Sequence, residues 1–272
     1  MTRGRRRSSP RRSKSASGAA LGAVWLTLAA TLGLAACGGG DDNGSGGDRP
    51  RLVVSAASSM TEALTACAPK FERATVRLSF AGSDELAAQI RQGLKPDVFA
   101  AANTILPRDL NDEGLLSTPV EFATNELVLA VPRDSDIRSL DDLSRDGVKI
   151  AIGSGSVPIG SYTRDVLSRL PKAESEAILG NVRSNEPDVK GIVGKLTQGA
   201  ADAGFVYVTD VNATDGKLTA IALPNDLQPT ATYAAGVVKG ANQPAEAHAF
   251  VDGLLHGACA EELDKAGFGA AP

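Results

Sequence analysis

Apolar and polar positions along this chain switch between two periods, and the switches mark out its elements. Arg51-Leu-Val-Val-Ser is a short apolar run that predicts a buried strand, and Ser59 to Phe71 predicts a helix entered through Ser58-Ser59-Met60-Thr61-Glu62. Val76 to Phe80 predicts a second strand, Ser83 to Gln92 a second helix, and Asp97 to Ala101 a short apolar strand. The alternation continues with strands at Glu126–Val131, Val148–Ile152, Ala203–Val208 and Leu218–Leu223, and helices at Tyr162–Leu170 and Val189–Gln198. Tyr233 to Val238 adds a strand, and Pro244–Leu255 with Glu261–Ala266 add closing helices. Such alternation predicts parallel α/β layers. Glycine- and hydroxyl-rich turns, SAASSMT, FAGSDE and IGSGSVPIGS, recur where strands end and helices begin. Ligands of open α/β sheets bind at that edge, where helix N-termini present unpaired N–H groups and the positive end of the dipole.

The first fifty residues follow other rules. A basic stretch, MTRGRRRSSPRRSK, precedes an apolar run of 18 residues from Ala19 to Ala36, which ends in Leu34-Ala35-Ala36-Cys37. Basic, apolar and small-residue regions in that order are an export signal. Cys37 after Leu-Ala-Ala resembles a bacterial lipobox, so residues 1–36 are expected to be a lipoprotein signal peptide and Cys37 the lipidated N-terminus. An uncleaved membrane anchor is the alternative, since the run borders on spanning length; both place the rest of the chain outside the cytoplasm. The pair Arg11-Arg12 lacks the apolar residues that a twin-arginine signal places after it. Residues 37–50, rich in Gly, Asp, Asn and Ser, predict a flexible tether to the cell membrane.

Charge becomes informative once the leader is set aside. It holds seven of the 28 basic residues and none of the 32 acidic ones, leaving 21 against 32, a net charge of −11. Nucleic acid is excluded as a partner, and any anion has to be held by local dipoles against the overall field. Of the three cysteines, Cys67 and Cys259 remain after Cys37, and an oxidising compartment predicts a disulfide between them over two buried thiols. No Cys/His spacing suggests a metal site or cofactor.

Two strand-to-helix loops place a hydroxyl at the helix start, Ser59 in AASSMTEAL and Ser83 in SFAGSDELAAQI. A third, GSGSVPIGS, carries Pro158, which removes one donor and leaves the N–H groups of Ile159 and Gly160 to point inward. A fourth helix start, Glu186-Pro-Asp-Val-Lys-Gly, offers the N–H of Val189, and Tyr207 ends a strand with a phenolic donor. Each alone is ordinary: a serine there is most often an N-cap, and a strand-end tyrosine most often packs.

Taken in order, VVSAASSMTEAL, SFAGSDELAAQI, KPDVFAAAN, GSGSVPIGSYTRDVL, PDVKG, GFVYVTDV and the terminal GFG resemble the molybdate-binding proteins of ABC importers, across Leu52 to Gly269. That resemblance implies a type II periplasmic-binding fold: two α/β lobes joined by crossing strands, with an oxyanion between them. It implies lobe one at 51–124 plus 235–272 and lobe two at 125–234, with crossings near Asn125–Pro132 and Thr232–Val237. It further implies oxyanion contacts, rather than metal ligands, from the side chains of Ser59, Ser83 and Tyr207 and the amides of Ile159 and Val189. Asn103 stands where many members have Asp, Gly82 where some have Ser, and Ile159 where Ala is commoner; the last donates through its backbone. The implied partners are molybdate, and tungstate by its similar size and charge, and an ABC permease with its ATPase; the binding protein is expected to be a monomer.

Neutral donors suit such a ligand. Hydrogen bonds to an ionised acceptor are about twice as strong as neutral ones, so converging N–H and O–H groups replace the water shell of a dianion without a counter-charge. Smaller sulfate would not reach every donor, and a protonated phosphate would set O–H against N–H. Catalysis has no support: no G-x-S-x-G elbow is present, and the two histidines, His248 and His256, lie in the C-terminal helical stretch. A binding protein for another oxyanion or organic anion is the competing reading.

Overall fold

The computed structural model describes residues 49–272; the signal segment, Cys37 and all but the end of the tether lie outside the described residues. Among the described residues, no helix is long and apolar enough to cross a membrane. The strands are β1 (Arg51–Ala57), β2 (Thr75–Ala81), β3 (Val98–Ala101), β4 (Val120–Pro132), β5 (Ile150–Gly153), β6 (Val182–Glu186), β7 (Ala203–Tyr207), β8 (Leu218–Ala222) and β9 (Thr230–Val237). The helices are α1 (Thr61–Cys67), α2 (Ser83–Arg91), α3 (Ile105–Asp112), α4 (Pro158–Ser168), α5 (Lys172–Gly180), α6 (Val189–Thr197), α7 (Val208–Asn212), α8 (Pro244–Leu255) and α9 (Ala258–Ala266).

The strands lie in the order β2-β1-β3-β9-β4-β7-β5-β6, with β8 also on β4. The all-parallel layers expected from the alternation need correction. Parallel pairing joins β1 to β2 and β3, and β5 to β6 and β7, but β4 and β9 run antiparallel to their neighbours. β4 changes partner halfway along: Val120 to Glu126 pair with β9, and Leu127 to Pro132 with β7 and β8. One long strand therefore belongs to two parallel groups. Because β1 and β2 are parallel, as are β5, β6 and β7, the helix starts that follow their ends gather on common edges.

Burial explains which elements form. All four residues of β3 and of β5 are buried, as strands covered on both faces require. Leu52, Val54, Leu127, Leu129, Phe205 and Tyr233 are central members of one apolar core continuous through both strand groups. A second cluster, with Leu86, Ile90, Phe99, Leu110 and Leu116, seats α2 and α3. Cys67 at the end of α1 and Cys259 in α9 face each other with 4.9 Å between their Cα atoms, inside the range a disulfide spans.

Several elements differ from their expected extent. The helix expected over 59–71 is divided: a 3-10 turn at Ser58–Met60, then α1, then a second 3-10 turn at Ala68–Lys70 carrying Pro69. The strand expected at 126–131 spans 120–132, and α3, α5 and β6 had no clear signal.

Candidate functional site

Helix starts from both strand groups converge on one cavity. Ser59 sits in the 3-10 turn between β1 and α1, where its side chain caps nothing; its Oγ is 2.8 Å from the Tyr233 hydroxyl. Ser83 is the first residue of α2 and likewise makes no capping bond. Its Oγ instead accepts the N–H of Ala102 at 3.1 Å, which leaves the hydroxyl proton free to be donated elsewhere. The capping role that such serines ordinarily play is thus absent at both positions.

From the other side come α4, α6 and β7. Val157 precedes α4 in an extended conformation, Pro158 occupies its first position, and Ile159 follows with an N–H that has no intrahelical acceptor. Gly160 does not line the cavity: it is pressed against the end of β5, where a Cβ would lie 1.9 Å from the carbonyl oxygen of Ser154. Asp188 caps α6 by accepting the N–H of Gly191 at 2.9 Å, so Val189, two residues earlier, keeps its own N–H for the cavity. Tyr207 ends β7, and its N–H reaches Asp210 Oδ2 at 3.4 Å.

All five residues singled out from sequence, Ser59, Ser83, Ile159, Val189 and Tyr207, line the same cavity, along with Ser58, Gly82, Ala102 and Val157. Each of the five is 4 % exposed or less. Its walls enclose at most about 190 Å³ of atom-free space, below the range of sites for drug-sized ligands. The space suits a small ion. None of these wall residues carries a formal charge. The Tyr207 hydroxyl is buried without a hydrogen-bond partner, and burial pushes its pKa well above the usual 10, so it keeps its proton. It lies beside the Tyr233 hydroxyl, yet outside hydrogen-bonding geometry with it. A buried phenol with nothing to donate to is costly, and here it stands among other inward donors.

Charged groups stand just behind this wall. Lys190, next to Val189, holds both oxygens of Glu62 on α1 at 2.8 Å and Asp210 at 3.1 Å. Burial works against the charge of Lys190, but Asp210 and Glu62 together raise its pKa. Asp210 is fully buried, and desolvation lifts its pKa to about 6 in spite of Lys190. Lys190 and Glu62 therefore tie α6 of one strand group to α1 of the other.

Gly82 makes a second close approach between the groups. Its backbone is ordinary, φ −60°, but a Cβ there would lie 2.5 Å from the Pro187 carbonyl oxygen and 3.3 Å from Val157. Asn103, the other departure from the family pattern, lies off the cavity wall and accepts the N–H of Leu106 at the start of α3. His248 and His256 are exposed. Among the described residues no group of His, Cys, Asp and Glu is placed to hold a metal ion. Tyr233 and Asn125, which support Ser59 from behind, carried no signal beyond a strand pattern.

Residues 52–269 match the family model of bacterial extracellular solute-binding proteins. The molybdate-binding protein of Mycobacterium tuberculosis is 36% identical over 262 residues, covering 90% of this chain and 98% of the relative. A putative ABC transporter substrate-binding lipoprotein of Bacillus subtilis is 29% identical over 255 residues, 89% of this chain and 95% of the relative. Among solved structures, the periplasmic molybdate-binding protein of Azotobacter vinelandii superposes with a TM-score of 0.73 at 21% identity, over 81% of this chain and 100% of that one; at that identity it speaks to the fold alone.

Proposed function

The chain belongs to the bacterial extracellular solute-binding proteins, and from that footing we propose that it captures molybdate for an ABC importer. As a member of that family it is a solute-binding protein and not an enzyme. The observation that carries the ligand reading is the buried, unpartnered hydroxyl of Tyr207 in a small uncharged cavity where several helix starts meet. Such a cavity lacks an acceptor, and a tetrahedral dianion supplies four. Ser59, Ser83 and Tyr207 would donate through hydroxyls, and Ile159 and Val189 through amides. That the mycobacterial relative is a molybdate-binding protein supports this choice of ligand.

On this reading the two strand groups act as lobes, 51–124 plus 235–272 and 125–234, and the ligand favours their closed arrangement, which the permease recognises. Tungstate, of similar size and charge, binds comparably. Cys37 is the lipidation site that holds the protein at the cell membrane as a monomer; the description of the Bacillus subtilis relative as a lipoprotein supports this. Cys67 and Cys259 form a disulfide that closes a loop of sequence separation 192 and stabilises by about 2–4 kcal/mol.

The test is a thermal-shift series with molybdate, tungstate, sulfate and phosphate. A ligand at about a hundred times its Kd stabilises by about 2.7 kcal/mol, or roughly 5–11 °C for a domain of this size. Molybdate and tungstate are expected to reach that at low excess, and sulfate and phosphate not. Equal stabilisation by sulfate, or none by any of the four, would overturn the assignment.

A further inference from the structure

The hydroxyl of Ser59 is held by a chain of hydrogen bonds whose direction can be worked out atom by atom. It begins at Asn125, in the stretch of β4 where the strand changes partners. The N–H of Glu126 reaches Asn125 Oδ1 at 2.9 Å, and an N–H can only donate. That fixes the orientation of the amide, so Nδ2 faces the other way, toward Thr209 Oγ1 at 2.9 Å and the Tyr233 hydroxyl at 3.4 Å. Tyr233 Oη thus receives a proton from Asn125 and has one of its own to place. The acceptor within reach is Ser59 Oγ, at 2.8 Å. Ser59 therefore accepts from Tyr233, and its own proton has the cavity before it. The reverse direction would leave the Tyr233 proton facing the Asn125 donor, a buried conflict. Asn125 is 5 % exposed, Tyr233 0 % and Ser59 4 %, so water does not relieve the constraint. Burial also holds the Tyr233 pKa well above 10, which keeps the proton in place.

We propose that Tyr233, oriented by Asn125, is a positioning residue that fixes Ser59 as a donor and so makes the cavity reject oxyanions that carry a proton. The proposal rests on the oxyanion reading of the site. Neither side chain lines the cavity; both act through Ser59. A serine hydroxyl with no fixed partner rotates, and it can accept from a ligand O–H as easily as it donates to a ligand oxygen. With one lone pair taken from behind, its proton is directed to the cavity and it accepts less readily. Ser83, which accepts from the Ala102 amide, is locked in the same sense by the backbone.

Calorimetric titration of the purified exported chain with molybdate and with hydrogen phosphate at neutral pH tests this, comparing wild type, Tyr233→Phe, Ser59→Ala and the double variant. Tyr233→Phe is expected to lower the molybdate-to-phosphate affinity ratio by about tenfold, one hydrogen bond's worth of discrimination. In the Ser59→Ala background the same substitution is expected to leave the ratio unchanged, because the hydroxyl it orients is gone. A merely structural role would weaken both anions in proportion, and an unchanged ratio in Tyr233→Phe overturns the proposal. Should that variant not fold, Asn125→Asp replaces it: a carboxylate takes the Tyr233 proton, turns Ser59 into an acceptor and lowers the ratio further, and a ratio equal to wild type overturns the proposal. Wild type that binds no molybdate overturns the functional reading and this inference with it, whereas wild type that binds while the ratios stay fixed overturns this inference alone.

Discussion

At the scale of single residues, direction matters as much as identity. Ser83 is useful because the Ala102 amide already takes one lone pair of its oxygen, which turns the hydroxyl proton toward the cavity. Ser83→Ala removes that donor and strands the Ala102 N–H, and molybdate affinity is expected to fall by about 1.5–3 kcal/mol, the worth of a hydrogen bond to a charged group. Calorimetry checks it, and an unchanged affinity would remove Ser83 from the ligand set. The five wall residues were legible as a set because each sits at a strand end or helix start and their ordered motifs resemble a known family; singly, each read as an ordinary cap or packing residue. Tyr233 and Asn125 were not, because each looks like one more position in a buried strand. What gives Tyr233 its role is Ser59, 174 residues away, and local pattern carries no trace of that contact.

At the scale of elements, α6 is tied to both α1 and α7 through Lys190, and the tie has a pH signature. Asp210, on α7, has a folded pKa of about 6 against an ordinary value of 3.8. A carboxyl raised on folding binds its proton more tightly in the native state, so the associated stability is fully present below the unfolded value and is lost as pH rises through about 6. Relative to Asp210→Asn, wild type is expected to lose about 2.5 kcal/mol between pH 4 and pH 7, at about 1.4 kcal/mol per pKa unit. Urea midpoints at the two pH values measure this, and a parallel pH dependence in both proteins would refute it. Element legibility has a physical limit as well. In α5 only Ile178 is buried, too thin a stripe to set a period. The strand β6, at the end of the strand order, shows the polar sequence Val-Arg-Ser-Asn-Glu. In α3, Pro107 reads as a breaker although it falls in the first turn, where it is tolerated. The antiparallel course of β4 and β9 was invisible for another reason: alternation reveals that strands occur, and not which way the chain returns.

At the scale of the whole molecule, the chain beyond the leader carries a net charge of −11, while the cavity wall carries no cation of its own. Distant repulsion then opposes the approach of a dianion, and added salt screens it. Stopped-flow association of molybdate is expected to quicken as ionic strength rises from about 20 to 200 mM, over which the Debye length shrinks from about 20 to 7 Å. A slowing would mean that local lysines steer the ligand instead. Gly82 bears on the opposite half of the cycle. Its φ is one any residue adopts, so it is the nearness of the Pro187 carbonyl, with Asp84 and Val157, that keeps a side chain out. On the proposed closure of the two lobes, residue size at this one position would set how far they travel toward each other, and with it how long a captured ion stays. Gly82→Ala should leave the melting temperature of the ligand-free protein nearly unchanged while shortening the ligand's residence time severalfold, as a dissociation rate from competitive displacement would read; an unaltered rate would mean that the halves stop before Gly82 and Pro187 touch. On that reading the smallest amino acid in the loop trades turnover for retention.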